Sequence, residues 1–228
     1  MRTFIKLVLF LMIEVISSQD IAFIGNSITA SGYNEIVESM LRGYNTHNYG
    51  VPGISVAING FQYKDTPEFT KVITLKPQHV VILLGSNDWK VFSAQPPSWG
   101  DIWQEEYRYL VAKFKINSTV FLGTIPYHYN DSNSIQPIKD MNKRIRKVAN
   151  RYSLEVIDFN TAIGWDPTLF KSDGIHPNGD GRKAMAEAAY NVLVNYPANK
   201  YLNIDSEYWD DVEDYEEQKK TGWIGCQP

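Results

Sequence analysis

The 228-residue chain contains one cysteine, Cys226, so no internal disulfide can form. That residue also lies too close to the C-terminus for a C-a-a-X prenylation box. Of the four histidines, His47, His79 and His128 show no metal-ligand spacing, so no metal and no other cofactor is expected. No stripe of Lys and Arg is present to neutralise phosphates, which argues against nucleic acid as a partner. Long apolar runs are absent too. The uninterrupted stretch Leu7–Ile13 falls well short of the ~20 residues a spanning helix needs, so no stable membrane insertion is expected. Internal repeats are missing.

What remains is the make-up of an ordinary folded protein, 43% hydrophobic and 21% charged, at a length suited to one well-buried domain and short for two. The net charge of −4 is unevenly placed: "DSEYWDDVEDYEE", Asp205–Glu217, holds eight acidic residues and no basic one. Residues 1–204 are nearly neutral, with 20 Lys and Arg against 18 Asp and Glu. The tail over 201–228 reads as a solvated acidic segment in which Tyr208 and Tyr215 have a context favourable to sulfation. At the other end Arg2 and Lys6 precede the apolar stretch, and Ser17 and Ser18 follow it. This order is that of a secretory signal peptide over residues 1–18, although Glu14 is out of place in such a leader. Secretion is the expectation, with a cytoplasmic protein carrying a buried first element as the alternative. Two N-x-[ST] sequons, at Asn117 and Asn130, would be usable in a secreted chain.

Over residues 20–200 strand-like and helix-like stretches alternate. Ile21–Ile24 is short and apolar, and "YNEIVESMLRGY" follows at helical spacing. "THNY" leads into the glycine-punctuated "YGVPGIS", and Thr66 and Pro67 open a helix as cap and first residue. "HVVILLG", "STVFLGTI" and "LEVIDF" read as the third, fourth and fifth strands. "SWGDIWQEEYRYLVAKFK", "IKDMNKRIRKVANRY" and "NGDGRKAMAEAAYNVLVNY" read as helices. This β-α-β alternation predicts a three-layer α/β/α sandwich around a five-stranded parallel sheet, where ligands bind beyond the carboxyl ends of the strands.

Four short blocks occupy those ends: "GNS", "YGVPG", "GSND" and "SDGIHP". Singly, each has a bland reading as turn or capping residues. In this order and together they resemble the SGNH (GDSL) hydrolase superfamily across nearly all of Asp20–Tyr196, with Ser27, Gly53, Asn87 and His176 in the superfamily's four positions and Asp173 completing D-x-x-H. The resemblance implies a flavodoxin-like strand order. It also implies a serine esterase in which Ser27 is nucleophile, His176 base and Asp173 its orienting partner. The Ser27 and Gly53 N–H groups and the Asn87 amide would receive the oxyanion. One letter departs from the commonest pattern, Asn26 replacing aspartate, which removes any acid–base role there. The "GNSIT" wording resembles carbohydrate O-acetylesterases and points to acetyl esters of a small molecule or glycan. A lysophospholipase, thioesterase or acyltransferase would use the same residues, and a non-catalytic secreted binding protein could keep the fold. Trp89, Tyr127 and Tyr129 could wall the acyl pocket or stack on a sugar, or equally be half-buried loop aromatics. Should Asp173 not orient His176, Asp158 and Asp166 are the other candidates. Oligomeric state is not legible.

Overall fold

The computed structural model describes residues 19–196. The leader-like stretch, the acidic tail with Tyr208 and Tyr215, and Cys226 lie outside the described residues. Five parallel strands form one sheet: β1 (Gln19–Gly25), β2 (Tyr44–Gly50), β3 (His79–Leu83), β4 (Thr119–Gly123) and β5 (Glu155–Ile157). Their spatial order is β2-β1-β3-β4-β5, the flavodoxin-like arrangement. The central strands β3 and β4 are buried at every residue, as continuous apolar runs covered on both faces should be, whereas the edge strand β2 is only half-buried.

Side-chain alternation divides the interior in two. Ala22, Ile24, Val80, Ile82, Val120 and Leu122 point to one face. There α3 (Pro67–Leu75), α5 (Trp99–Lys115) and α6 (Ile135–Arg151) cover them. Ile21, Phe23, Val81, Leu83 and Phe121 point the other way, under α1 (Ser27–Ala30), α2 (Tyr33–Met40), α7 (Phe159–Ile163) and α8 (Gly179–Val194). Each fully buried Val, Ile or Leu contributes about 1.5–3 kcal/mol, so these two layers fix the register from which the strand-end loops project. α3 starts as its sequence indicates: Thr66 accepts the Phe69 N–H at 3.2 Å and Pro67 fills the first turn. The short helices α4 (Trp89–Ala94) and α7 are too brief to carry a periodic pattern, and α7 exists because Asp158 caps it. Among the described residues no helix is long and apolar enough to cross a membrane.

The chain moves from β1 to β2 on one side and later to β3 on the other. The strand order therefore reverses beside β1, opening a crevice at its carboxyl end. Gly25, the last residue of β1, meets that crevice.

Candidate active site

Gly25 ends β1 in tight contact: a β-carbon there would lie 2.1 Å from Thr29 Oγ1 and 2.5 Å from the Leu83 carbonyl oxygen. Only a residue without a side chain lets the strand turn directly into α1. Asn26 follows in extended conformation as the N-cap, its Oδ1 accepting the Ile28 N–H at 2.9 Å. A neutral amide oxygen performs this capping as a carboxylate would, which accounts for asparagine being tolerated here. The Asn26 Nδ2 is buried without a protein partner. Ser27 is thereby the first residue of α1, half-buried, with its N–H among the donors that a helix start leaves unpaired.

The segment before α8 supplies the imidazole. Asp173 Oδ1 accepts the N–H groups of Ile175 at 2.8 Å and His176 at 2.9 Å, folding the chain back on itself. Its Oδ2 lies 2.8 Å from His176 Nδ1, and His176 Nε2 lies 2.8 Å from Ser27 Oγ. Burial disfavours the Asp173 carboxylate, but the two N–H bonds and the imidazole outweigh it and hold the carboxyl down at about 2. An ionised Asp173 accepts the Nδ1 proton, which leaves Nε2 as the acceptor for the serine hydroxyl. The loop is fastened on both sides. Asn178 caps α8, Asn130 Nδ2 donates to the Ser172 carbonyl at 3.2 Å, and the Tyr129 N–H donates to the Gly174 carbonyl at 2.6 Å. Asp158 bonds Thr124, Thr161 and Arg146, and Asp166 caps the turn at Thr168. Their partners lie elsewhere than His176.

Across the crevice Gly53 has φ +80°, the left-handed region, and a β-carbon built on it would meet nothing within 4 Å. The side where a side chain would stand is open, and glycine takes this conformation without strain. Asn87 Nδ2 donates to the Ile54 carbonyl at 2.8 Å, leaving its second N–H for another acceptor. Next to Asn87 a pocket of about 400 Å³ is lined by Ser86, Trp89, Lys90, His128 and Asp131 among others. His128 forms part of its wall, edge-on to Trp89 and 2.8 Å from Ser86 Oγ. Burial pushes this imidazole down to about 4, with Asp131 partly opposing, so His128 is neutral at pH 7.

Trp89 lines this pocket. Tyr127 and Tyr129 do not line it: both pack on Trp165, with ring centroids 5.4 and 5.9 Å away, and Tyr129 also stacks on Phe170. Sequence reasoning missed Ser86 and His128 as lining of this pocket. The signal for Ser86 was adjacency to Asn87 in "GSND"; for His128 there was none beyond its place in a strand-end loop. Among the described residues no group of three or more His, Cys, Asp or Glu could hold a metal ion.

Comparison with known proteins agrees with this architecture. An acetylxylan esterase of Xylanibacter ruminicola is 28% identical over 209 residues, an alignment covering 73% of this chain and 41% of that protein. The chain thus spans about two fifths of the length of that curated relative. The crystal structure of Axe2, an acetylxylan esterase from Geobacillus stearothermophilus, superposes with a TM-score of 0.64 at 20% identity, covering 83% of this chain and 98% of that one. A lipolytic G-D-S-L family protein from Veillonella parvula gives a TM-score of 0.62 at 19% identity, covering 77% and 98%. At these identities the two structures speak for the fold. The family model described as GDSL-like lipase/acylhydrolase matches residues 23–184, most of the chain and all four strand-end blocks. The chain belongs to the GDSL-like lipase/acylhydrolase family, within the SGNH hydrolase superfamily.

Proposed function

We propose that this protein is a serine esterase that removes small acyl groups, acetyl foremost, from a carbohydrate. The observation that carries the reading is the unbroken chain from Ser27 Oγ to His176 Nε2 and from His176 Nδ1 to Asp173 Oδ2, each step 2.8 Å. In the forward step Ser27 Oγ attacks the ester carbonyl while its proton passes to His176 Nε2. The oxygen that gains charge is met by the Ser27 N–H, the Gly53 N–H and the second N–H of Asn87. Collapse of the tetrahedral adduct breaks the bond to the alcohol, and His176 returns the proton to the departing alkoxide. Water then attacks the acyl-serine, its proton taken by His176, and the acid leaves as Ser27 recovers its hydrogen. Asp173 stays ionised throughout and steadies the imidazolium.

The carbohydrate part rests on the pocket beside Asn87. Its lining mixes one indole, Trp89, with Ser86, Asn130, Asp131 and Lys90, a composition suited to a sugar ring and poorly suited to a long alkyl chain. A second groove of about 780 Å³ begins one helical turn along α4, at Phe92 and Ser93, and would leave room for further residues of a glycan. The acetylxylan esterase relative supports the same class. The test is acetate release from acetylated xylooligosaccharides beside p-nitrophenyl acetate and butyrate. Turnover of the acetylated sugar, with acetate preferred to butyrate, is expected. Butyrate preferred to acetate, with the sugar untouched, would overturn the carbohydrate reading.

A further inference from the structure

The Gly53 loop reaches the crevice with little regular structure to hold it. After β2 ends at Gly50 the chain runs through turns and one isolated bridge as far as Gln62, yet Ile54, Ser55, Val56 and Ala57 are buried. Several bonds fasten it: Ser55 donates to the Phe61 carbonyl through its main-chain N–H and its hydroxyl, Gln62 Nε2 donates to the Val56 carbonyl, and between them the segment is gripped by Asp88. This carboxylate is fully buried and accepts the Val56 N–H on both oxygens at 3.1 Å and the Ala57 N–H on Oδ1 at 3.0 Å. Its neighbour Asn87 grips the same loop through the Ile54 carbonyl. Consecutive residues after β3 thus hold the segment immediately following Gly53.

A buried carboxylate is a costly way to tie down a loop unless placement matters. Once ionised, it forms charge-assisted bonds with the backbone N–H groups, about twice as strong as those an amide would make in the same place. An asparagine would keep one acceptor and turn an NH₂ group toward donors. The proposed mechanism assigns Asp88 nothing, since it touches neither Ser27 nor His176. But the loop it fixes carries one oxyanion donor, and the residue before it carries another. Oxyanion donors accelerate a reaction only when already in place as charge develops.

We propose that Asp88 is a positioning residue: its carboxylate locks the Gly53 loop against Asn87 so that both donors converge on one oxygen. This rests on the serine-esterase reading. It differs from a general stabilising role in what it predicts for turnover.

The test is a double-mutant cycle on p-nitrophenyl acetate at about pH 8, with folding checked by circular dichroism and thermal unfolding. Asp88→Asn should lower kcat roughly 10- to 100-fold with KM changed little, because the loss falls on the transition state. In an Asn87→Ala background, where the oxyanion site is already damaged, the same substitution should cost less than about 3-fold. A folded Asp88→Asn with wild-type kcat, or losses that simply multiply in the double variant, would overturn the proposal. Should Asp88→Asn not fold, Asp88→Glu keeps the charge and displaces it by one methylene, and the same kcat loss is expected. If neither folds, Asp88 serves folding and the proposal is overturned. Ser27→Ala in the same assay reports on the esterase reading separately. Turnover that survives it overturns that reading and this role together, whereas a dead Ser27→Ala beside a fully active Asp88→Asn overturns only the role of Asp88.

Discussion

His176 Nδ1 lies 2.8 Å from Asp173 Oδ2, and Oδ1 of that same carboxylate accepts the main-chain N–H of His176 at 2.9 Å. One side chain therefore fixes both where the histidine begins and which way its ring turns. A three-residue separation suffices because the intervening Gly174, at φ +68°, lets the loop double back.

Under the proposed mechanism this arrangement makes the Asp173 charge necessary for turnover, while an amide oxygen at the same place could still accept the Ile175 and His176 N–H groups. Asp173→Asn should lower kcat by about 10³–10⁴-fold, as loss of the orienting carboxylate does elsewhere, with substrate binding largely kept. Steady-state kinetics beside a melting curve would check it. Near wild-type turnover would mean that the imidazole needs no carboxylate, since Asp158 and Asp166 are engaged elsewhere.

A second prediction concerns acid stability. His79 opens β3 among the rings of Tyr44, Phe121 and Tyr196, and burial pushes its imidazole down to about 4. The unfolded chain binds a proton near 6.5, so it gains one that the folded chain refuses. Stability from this site is therefore full above about pH 6.5 and lost as pH falls toward 4. His128 acts in the same sense. Asp88 acts in the opposite one: burial raises its carboxyl to about 7 against the pull of the Ala57 and Val56 N–H bonds. Its contribution is greatest below about pH 4 and lost as pH rises to 7. Comparing wild type with His79→Leu isolates the first effect. Between pH 7 and pH 4 the urea midpoint of the wild type should fall further than that of the variant. Parallel falls would contradict the assignment.

The fold was legible because its signals were long. "HVVILLG" was the strongest strand signal in the chain, a continuous run suited to a sheet covered on both faces, and the Thr66–Pro67 pair marked the start of α3 to the residue. Ser27, Gly53, Asn87, Asp173 and His176 were legible through the resemblance of four short blocks, in order, to the SGNH superfamily, and the structure brings Ser27, Asp173 and His176 into one hydrogen-bonded chain. The pocket wall was not. Trp89 and Tyr127 look alike in sequence, each an aromatic just past a strand-end block, and which one faces the pocket depends on whether Trp165 offers a packing partner. Asp88 was hidden for a related reason. Its partners are backbone groups 31 and 32 residues away, and N–H groups leave no mark in a sequence.

Asn130 illustrates the same limit. The sequon there is as good as that at Asn117 on paper, yet its amide is bound to the Ser172 carbonyl and it lines the pocket. Both asparagines are exposed, and Asn117 lies in the turn before β4.

The measurement that bears most directly on the central claim is hydrolysis of p-nitrophenyl acetate by the purified protein beside Ser27→Ala, whose lost hydroxyl leaves the surrounding fold unchanged. The account predicts turnover that disappears in the variant, together with covalent labelling of the wild type alone by a fluorophosphonate. Activity or labelling that persists in folded Ser27→Ala would contradict it, because no other hydroxyl is placed 2.8 Å from the His176 imidazole among the described residues.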